Sequence, residues 1–428
     1  MRQGYLLERI IIFVIVITDV IFPNSLKVVG IPALGLLCVY YLLQGGAECF
    51  KNYYFYFLSA GIVITLIYIL IGQENGATDV GAQEAFVIYV IFPICWGIVF
   101  TRIVVRFDLS KIVFVILACV PVIAATVFYF FYMFTHYGPQ SVRFFISVPN
   151  VEITSEGYVA ATMHVFGSLV FIIGAFFTQP KVVDKPVFRM FYIVILIVLA
   201  FTAGRSALIF SIVIGTAINI GVGLGRHYRN HTLGVGFTTI LVSTVATIVF
   251  AGLVALVAKE NFNIDFSIAA ENAIGKIIPG YEGGKYQEGG QSRYDQLEAF
   301  RVSIVKNYFA GVGHGVPNFW YSDPEKPWRY ELIWVATVFR TGIVGFLIYA
   351  APFLFAAFYA FRELISGRLD RYEEFLFGGF VAVLLASNTN PYIEGVDLQW
   401  MYIFPLVYFL KRYEFQSRAA KSGGNVIA

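Results

Sequence analysis

The chain has 428 residues, of which 58% are hydrophobic and only 13% are Asp, Glu, Lys or Arg. Soluble domains carry about 25% charged residues, so this composition excludes a soluble globular protein and indicates a helical membrane protein. The net charge of +3, without a long run of like charges, also excludes a nucleic-acid-binding protein.

Many apolar blocks are long enough to cross a hydrocarbon layer roughly 30 Å thick. We therefore predict an all-α, polytopic integral membrane protein, with a single transmembrane domain over residues 1–428 and about twelve transmembrane helices. The first block is followed by no small-residue cleavage site, so we expect it to remain as a helix. The tenth predicted span is long enough to be tilted or broken. The predicted spans are residues 10–22, 28–43, 53–72, 85–100, 112–135, 158–178, 187–203, 207–224, 233–258, 330–361, 375–387 and 400–410.

Lysine and arginine are distributed unequally between the two sides that these spans define. With the N-terminus inside, the short outer loops hold only Lys27, Arg143 and Arg205. The short loops on the opposite side hold most of the remaining basic residues, so the positive-inside rule predicts that both termini are cytoplasmic. Residues 259–329 then form one long outer loop between the ninth and tenth helices.

The second half of this long loop has a helical pattern. Ser292 and Asp295 resemble a capping box, and apolar residues recur at helical spacing after them. We predict a short amphipathic helix that begins at Ser292 and lies at the outer membrane face. The glycine-rich stretch before it, from Gly280 to Gly290, predicts a connector between two more ordered parts.

Three arginines lie on the outer side, where the charge rule disfavours them. Arg205 lies in a tight turn between two apolar helices, where Ser206 can cap the second helix and leave free amides suited to a phosphate. It could instead reach lipid head groups. Arg293 would lie in the first turn of the predicted loop helix, again beside free amides. Arg301, eight residues later, could face the same site or solvent.

Two charged residues belong to the tenth span. Glu331 opens it and could act as a general base if partial burial raised its pKa, or it could pair with Arg329 at the interface. Arg340 lies nine residues deeper, where a cation costs roughly 2.5 to 3.5 kcal/mol. We therefore expect Arg340 to face a polar cavity or a carboxylate rather than lipid.

Further candidate residues flank this span. His314 lies in a glycine-flanked turn and has no second His or Cys at ligand spacing, so it could equally be solvated. Trp320 and Tyr330 offer flat faces suited to sugar rings, although aromatic residues also form the ordinary interfacial belt. The last outer turn, residues 388–399, includes Glu394 and could close the same cavity from the other side.

The motifs of nucleotide-driven and metal-dependent chemistry are absent from the sequence. It contains no P-loop, no G-x-G-x-x-G on a strand, no acidic metal pair and no H-E-x-x-H. The four cysteines form no C-x-x-C pair. We therefore predict no metal and no cofactor, so the energy for any reaction must come from an activated substrate that the membrane supplies.

Four short pieces occur in order between Thr202 and Gly345. They are Ala203-Gly204-Arg205-Ser206, which opens a helix; Ser292-Arg293, before an amphipathic helix; Asn307-Tyr308-Phe309-Ala310-Gly311-Val312-Gly313; and Glu331, followed eleven residues later by Gly342-Ile343-Val344-Gly345. In their order and their placement around one outer loop, they resemble the O-antigen polymerase and O-antigen ligase superfamily of bacterial inner membranes.

This resemblance implies an activity. Members of the superfamily use an undecaprenyl-pyrophosphate-linked glycan as donor, without a metal, at the periplasmic face of the inner membrane, and their all-helical architecture is of the GT-C type. By resemblance, Arg205 and Arg293 fall where the family places arginines that grip the donor pyrophosphate. It also implies a lipid-linked acceptor and, as partners, a chain-length regulator and a flippase.

One position departs from the ligase pattern. Ligases carry a His eleven residues before the first glycine of the closing GxxG, whereas this chain has Glu331 there. The departure favours a polymerase, with Glu331 as the candidate base, over a ligase that transfers glycan to lipid A core or protein. From a different class, a flippase or transporter of the lipid-linked repeat remains an alternative, because charged residues within spans also mark substrate paths. Discontinuous helices would support it, but the sequence indicates none.

Overall fold

The computed structural model describes residues 2–23, 25–137, 151–153, 159–161, 166–203, 206–229, 288–319, 326–388 and 390–421. Within these ranges the chain is overwhelmingly helical, with one small antiparallel hairpin of strands β1 (Val151–Ile153) and β2 (Val159–Ala161). The helices are α1 (Arg2–Ile15), α2 (Lys27–Gly45), α3 (Tyr53–Glu74), α4 (Asp79–Phe86), α5 (Phe92–Arg106), α6 (Leu109–Tyr137), α7 (Leu169–Thr178), α8 (Pro186–Thr202), α9 (Ser206–Arg229), α10 (Glu288–Lys306), α11 (Ile333–Ile365), α12 (Arg371–Ala386) and α13 (Trp400–Lys421).

Six stretches of these residues are long and apolar enough to cross a membrane, and each coincides with a predicted span. Helices α4 and α5 form one of them, because a π-helical turn, Val87–Ile91, joins them. Four other predicted spans coincide with α1, α8, α12 and α13, which are shorter or more polar, and residues 233–258 lie outside the described ranges. The six candidate spans are Lys27–Gly45, Tyr53–Glu74, Asp79–Arg106, Leu109–Phe130, Ala207–Leu224 and Ile333–Ile365.

The predicted span 158–178 is wrong in its extent. Strand β2 occupies its beginning, and the helix that follows, α7, has only ten residues, all of them buried. Helix α7 packs against α9 and α12 rather than facing lipid. A run of apolar residues does not distinguish a spanning helix from one enclosed by protein, and the length of the run alone led to the prediction.

Small residues allow this close packing around α7. A Cβ atom at Gly174 would collide with the side chain of Ala382 on α12, and one at Gly378 would collide with Thr178. On the other side, a Cβ at Gly215 of α9 would lie 2.6 Å from the Gly174 carbonyl oxygen. Small residues at such contacts are typical of helix packing in membranes.

Buried carboxylates hold α11, α12 and α13 together at the end of the bundle that contains the α11–α12 turn. Glu363 of α11 is fully buried and accepts a 2.6 Å hydrogen bond from Arg368. Glu373 of α12 accepts from Tyr408, at 2.7 Å, and from Arg412 of α13. Because each of these carboxylates has a cationic partner, their burial does not leave an uncompensated charge.

The predicted loop helix is present, but its start was predicted incorrectly. Helix α10 begins at Glu288, so Ser292 lies within the helix instead of capping it. The predicted start was based on the Ser292/Asp295 pair, but the helix continues for one turn before it, through Gly289 and Gly290. A small apolar cluster that includes Phe300, Tyr330 and Phe339 packs α10 against the beginning of α11.

Candidate functional site

Helix α11 is interrupted at Gly342, within the long tenth span. Gly342 has φ 64° and ψ −176°, a conformation that essentially only glycine adopts. A Cβ atom there would lie 2.5 Å from the carbonyl oxygen of Phe309. The interruption releases backbone groups on both sides from the helical ladder, and these groups need other partners at membrane depth.

The turn after α10 supplies those partners. The amides of Val312 and Gly313 donate to the carbonyls of Phe339 (3.0 Å) and Arg340 (2.8 Å), and the amide of Ile343 donates to the carbonyl of Phe309 (3.1 Å). The turn therefore completes the interrupted helix. It brings the Asn307–Gly313 and Gly342–Gly345 pieces into direct contact.

Helix α3 holds the other side of the same turn. The amide of His314 donates to the carbonyl of Tyr68 at 2.8 Å, and the Tyr68 hydroxyl donates to the carbonyl of Ala310 at 2.7 Å. The side-chain amide of Asn75 donates to the carbonyl of Val312 at 2.9 Å. A Cβ atom at Gly313 would collide with the backbone of Gly72 on α3, and one at Gly72 would collide with the carbonyl oxygen of His314.

A buried ion pair lies directly behind this turn. Arg340 is 4% exposed, and its Nη1 donates to Oε1 of Glu394, which also accepts a 2.6 Å hydrogen bond from the Tyr89 hydroxyl. Its Nη2 donates to the carbonyl of Trp328 at 2.7 Å. The guanidinium also lies over the ring of Tyr330, 5.3 Å from its centroid. Arg340 thus faces a carboxylate, as the cost of a lipid-facing cation requires.

His314 forms the second half of this polar cluster. It is 1% exposed, its ring lies 5.1 Å from that of Tyr89, and its Nε2 lies 3.2 Å from the Tyr349 hydroxyl. That hydroxyl also lies 2.6 Å from Oγ1 of Thr65 on α3. Burial, and the positive charge of Arg340, lower the pKa of His314 to about 3. His314 is therefore neutral near pH 7, so it is a hydrogen-bonding group there and not a cation.

A second charged group adjoins the first. Glu84 of α4 accepts a 2.5 Å hydrogen bond from the indole of Trp328 and forms an ion pair with Arg329. Burial lowers the pKa of Arg329. A cavity of about 20 Å³ lies between this group and the pair of Arg340 and Glu394. It has room for about one water molecule. A cavity of about 110 Å³ on the other side of Tyr89 and Tyr349 offers more space beside the cluster.

Helix α10 is docked at the entrance to α11 by side-chain hydrogen bonds. Oε1 of Gln296 accepts from the amides of Glu331 (3.0 Å) and Leu332 (2.9 Å). The side-chain amide of Asn318 donates to Oγ of Ser303 at 3.1 Å. The helix that carries Arg293 is thus fixed beside Glu331.

The structure brings three of the predicted site residues together. Arg340, His314 and Tyr330 all border the same buried cluster. Burial raises the pKa of Tyr330 to about 12, so its hydroxyl stays protonated, accepts from the amide of Asn318 at 2.7 Å and donates toward the carbonyl of Val316.

The other predicted residues lie elsewhere or outside the described ranges. Glu331 is exposed, so the partial burial that its role as a base required is not present in this arrangement. Arg301 is also exposed and pairs with Glu298 of its own helix at 2.5 Å. Arg205 and Trp320 lie outside the described residues, as does the side chain of Arg293.

Four members of the cluster were not predicted. Glu84 directly precedes the apolar block 85–100, and a charge at the edge of a span was the available signal for it. Thr65, Tyr89 and Tyr349 lie within apolar blocks, where nothing in the sequence distinguishes them from their neighbours.

Comparison with known proteins gives no relative. No protein-family model matches the chain, and neither a curated protein nor a solved structure matches it. Any function must therefore be argued from the residues and the geometry above.

Proposed function

We propose that this protein is a membrane-embedded glycosyltransferase that polymerises undecaprenyl-pyrophosphate-linked repeat units into O-antigen or a related surface polysaccharide. The proposed reaction occurs at the periplasmic face of the bacterial inner membrane and uses no metal. A GT-C-type architecture with about twelve spans and cytoplasmic termini is part of the same proposal.

One observation carries this proposal. Three of the four pieces that resemble the superfamily, which lie between residues 292 and 345, meet in the first part of α11. The Asn307–Gly313 turn fills the break at Gly342, and α10, which carries Arg293, is hydrogen-bonded to the start of the helix at Glu331. Such an assembly is expected if these pieces build one site, and it is not required of a scaffold.

We assign the charged residues of the site separate roles in the proposed reaction. Displacement of the donor pyrophosphate leaves about two to three negative charges, which Arg205 and Arg293 are assigned to stabilise as they develop. Glu331 is assigned to accept the proton of the attacking hydroxyl; it is exposed in this arrangement, so the partial burial that this role requires would have to come from bound substrate. Arg340 is already paired with Glu394 and holds the turn against the broken helix, so its role in this proposal is to position the site.

The test is polymer formation in cells that express single variants at equal levels. We expect Arg205→Ala and Arg293→Ala each to abolish polymer, and Glu331→Gln to reduce it at least tenfold while the protein remains inserted. Lys306→Ala is the matched control, because Lys306 is an exposed cation on the same helix as Arg293 and has no assigned role. Normal long-chain polysaccharide from either arginine variant would remove the assigned roles. Single repeats on lipid A core as the natural product would favour the ligase.

The broken helix favours a second candidate, a flippase or transporter of the lipid-linked repeat. Transporters bind substrate where membrane helices are discontinuous, and α11 is discontinuous at Gly342. Purified protein with pyrophosphate-linked repeats in detergent separates the two functions. A polymerase lengthens the glycan and releases lipid pyrophosphate, whereas a flippase produces neither and instead moves the repeat across a proteoliposome membrane.

A further inference from the structure

A second and larger cavity lies apart from the candidate site. It has a volume of about 190 Å³ and is lined by α1 and the π-helical turn after it, Val16–Ile21, and by α2, α5, α6 and α13. Except for Asp19 and Lys111, the residues that line it are apolar or aromatic. Helices α2, α5 and α6 belong to candidate membrane spans, so hydrocarbon is the medium around this part of the molecule.

The residues that line the cavity follow α5. They extend from Trp96 to Phe107, which is about 16 Å along a helix that rises 1.5 Å per residue. Trp96 is buried, whereas Phe107 is partly exposed and Val115 is 43% exposed. We call this cavity the apolar channel, and it is open to the surface near the α5–α6 turn.

Lys111 lies at this open end. Its ammonium pairs with Asp108 at 3.2 Å, but both side chains are more than 70% exposed, and such pairs contribute little free energy. The ammonium is thus available to a stronger anionic partner. The α5–α6 turn is also on the side that the sequence predicts to be cytoplasmic, where the lipid leaflet carries negative charge.

We propose that this channel binds one acyl chain of an anionic phospholipid, with the lipid phosphate against Lys111. The apolar channel, its depth and the cation at its mouth match the three parts of such a lipid: chain, interface and phosphate. The site is independent of the glycan chemistry, so it stands or fails separately from the proposed function.

Native mass spectrometry of the full-length protein in detergent tests this proposal. The protein is titrated with phosphatidylglycerol or phosphatidylcholine of identical acyl chains. We expect phosphatidylglycerol to bind more tightly, because the choline ammonium of phosphatidylcholine offsets the charge of the same phosphate. Lys111→Ala should weaken phosphatidylglycerol binding about fivefold and phosphatidylcholine binding less, because one basic residue contributes roughly 1 kcal/mol to anionic-lipid binding. We expect Val115→Trp to weaken binding of both lipids, because the indole would fill the mouth of the channel.

Each control makes the same substitution at a similar residue that does not line the channel. Lys51 forms an exposed pair with Glu48 three residues away, as Lys111 does with Asp108, but it does not line the channel. Val105 is an exposed valine of α5 that does not line it either. Lys51→Ala and Val105→Trp should leave lipid binding unchanged. Equal binding of the two lipids, equal weakening by Lys51→Ala and Lys111→Ala, or undiminished binding by Val115→Trp would each overturn the proposal. Size-exclusion chromatography confirms that every variant compared is folded.

Discussion

Arg340 shows how one charged side chain is accommodated inside a membrane bundle. Its charge is compensated by Glu394, and it donates two further hydrogen bonds, to the Tyr89 hydroxyl and to the carbonyl of Trp328. Transferring two charges from a polar medium to the protein interior costs free energy. This cost is offset only when the geometry satisfies every donor and acceptor. Loss of one partner therefore affects the protein more than loss of both.

This asymmetry gives a prediction for the ion pair. Arg340→Met leaves the carboxylate of Glu394 buried and unpaired, so we expect it to lower the free energy of unfolding by about 3 to 5 kcal/mol. The double variant Arg340→Met/Glu394→Met removes both charges and should recover most of that loss. Denaturant-induced unfolding in detergent measures both, together with the single variant Glu394→Met. A double variant whose destabilisation equals or exceeds the sum of the single variants would contradict the account.

His314 gives a prediction on pH dependence. Its pKa is lowered to about 3 in the folded protein from the ordinary value of 6.5, so the unfolded state binds a proton first as the pH falls. The folded state is therefore destabilised as the pH decreases from about 6.5 to 3, by up to about 1.4 kcal/mol per pH unit from this residue. We expect His314→Gln, which keeps a polar side chain beside Tyr349, to flatten the melting-temperature profile in this window. If the wild type and His314→Gln gave parallel profiles of melting temperature against pH, His314 would be excluded as the source of the pH dependence.

The environment of a single residue could be predicted from the sequence where one free-energy cost dominated. The penalty for a buried cation required a carboxylate or a polar cavity for Arg340, and Glu394 was placed in a turn that could close that cavity. The pairing itself was not predictable, because the two residues lie 54 positions apart. The burial expected for Glu331 failed because a residue at the edge of a span can face either the protein or the solvent.

At the scale of elements, α11 and the turn after α10 form one unit. The turn contains two consecutive non-glycine residues with positive φ, Tyr308 (51°) and Phe309 (60°), and each costs roughly 1 to 2 kcal/mol. The hydrogen bonds and close packing with Gly342 and Gly72 offset this strain. Backbone strain of this kind clusters at functional sites, which agrees with the placement of the candidate site here.

A glycine comparison tests this unit. Gly342→Ala should destabilise the protein by about 1 to 3 kcal/mol, because alanine is strained at this φ and its Cβ would approach the Phe309 carbonyl. Gly35 of α2 is the matched control, since a Cβ there meets nothing within 4 Å and the helical backbone favours alanine. We expect Gly342→Ala to unfold at a lower temperature than the wild type. We expect Gly35→Ala to unfold at the same temperature as the wild type or at a higher one. Equal melting temperatures for the two variants would show that the break is not strained.

Helical elements were predictable wherever an apolar run faced lipid. Six predicted spans coincide with helices suited to a membrane because hydrocarbon selects for continuous apolarity. The prediction failed for 158–178, where protein and not lipid surrounds the apolar residues. The break in α11 was foreseen as a possibility from its length, but its position depends on a turn that begins more than thirty residues earlier.

The two ends of the whole molecule carry separate polar clusters. Residues predicted on the outer side meet at one end, as Glu84, Arg329, Arg340 and Glu394 show. Residues predicted on the cytoplasmic side meet at the other, where Asp184 pairs with Arg371 and Glu373 with Arg412. Each cluster contains only segments that the charge rule assigns to one side, so the predicted sidedness is internally consistent.

Cysteine labelling tests the absolute orientation. Glu74→Cys and Asp108→Cys introduce exposed thiols on either side of the span that α4 and α5 form, Asp79–Arg106. We expect a membrane-impermeant maleimide to label the first in intact spheroplasts and the second only after permeabilisation. The unsubstituted protein, which has four free cysteines, provides the background. The reverse pattern would place the candidate site in the cytoplasm and end the proposed periplasmic reaction.

The enclosed helix α7 has a consequence for biogenesis. At ten residues it is too short to be held in a bilayer alone, yet α12, against which it packs, begins at Arg371, nearly two hundred residues later. A ribosome adding 5 to 20 residues per second would need roughly ten to forty seconds to deliver that partner. During that interval α9, which begins at Ser206, can cover one face of α7, but the face that packs against α12 has no partner. Late truncations of the gene, which remove α12, are therefore more harmful than their length suggests.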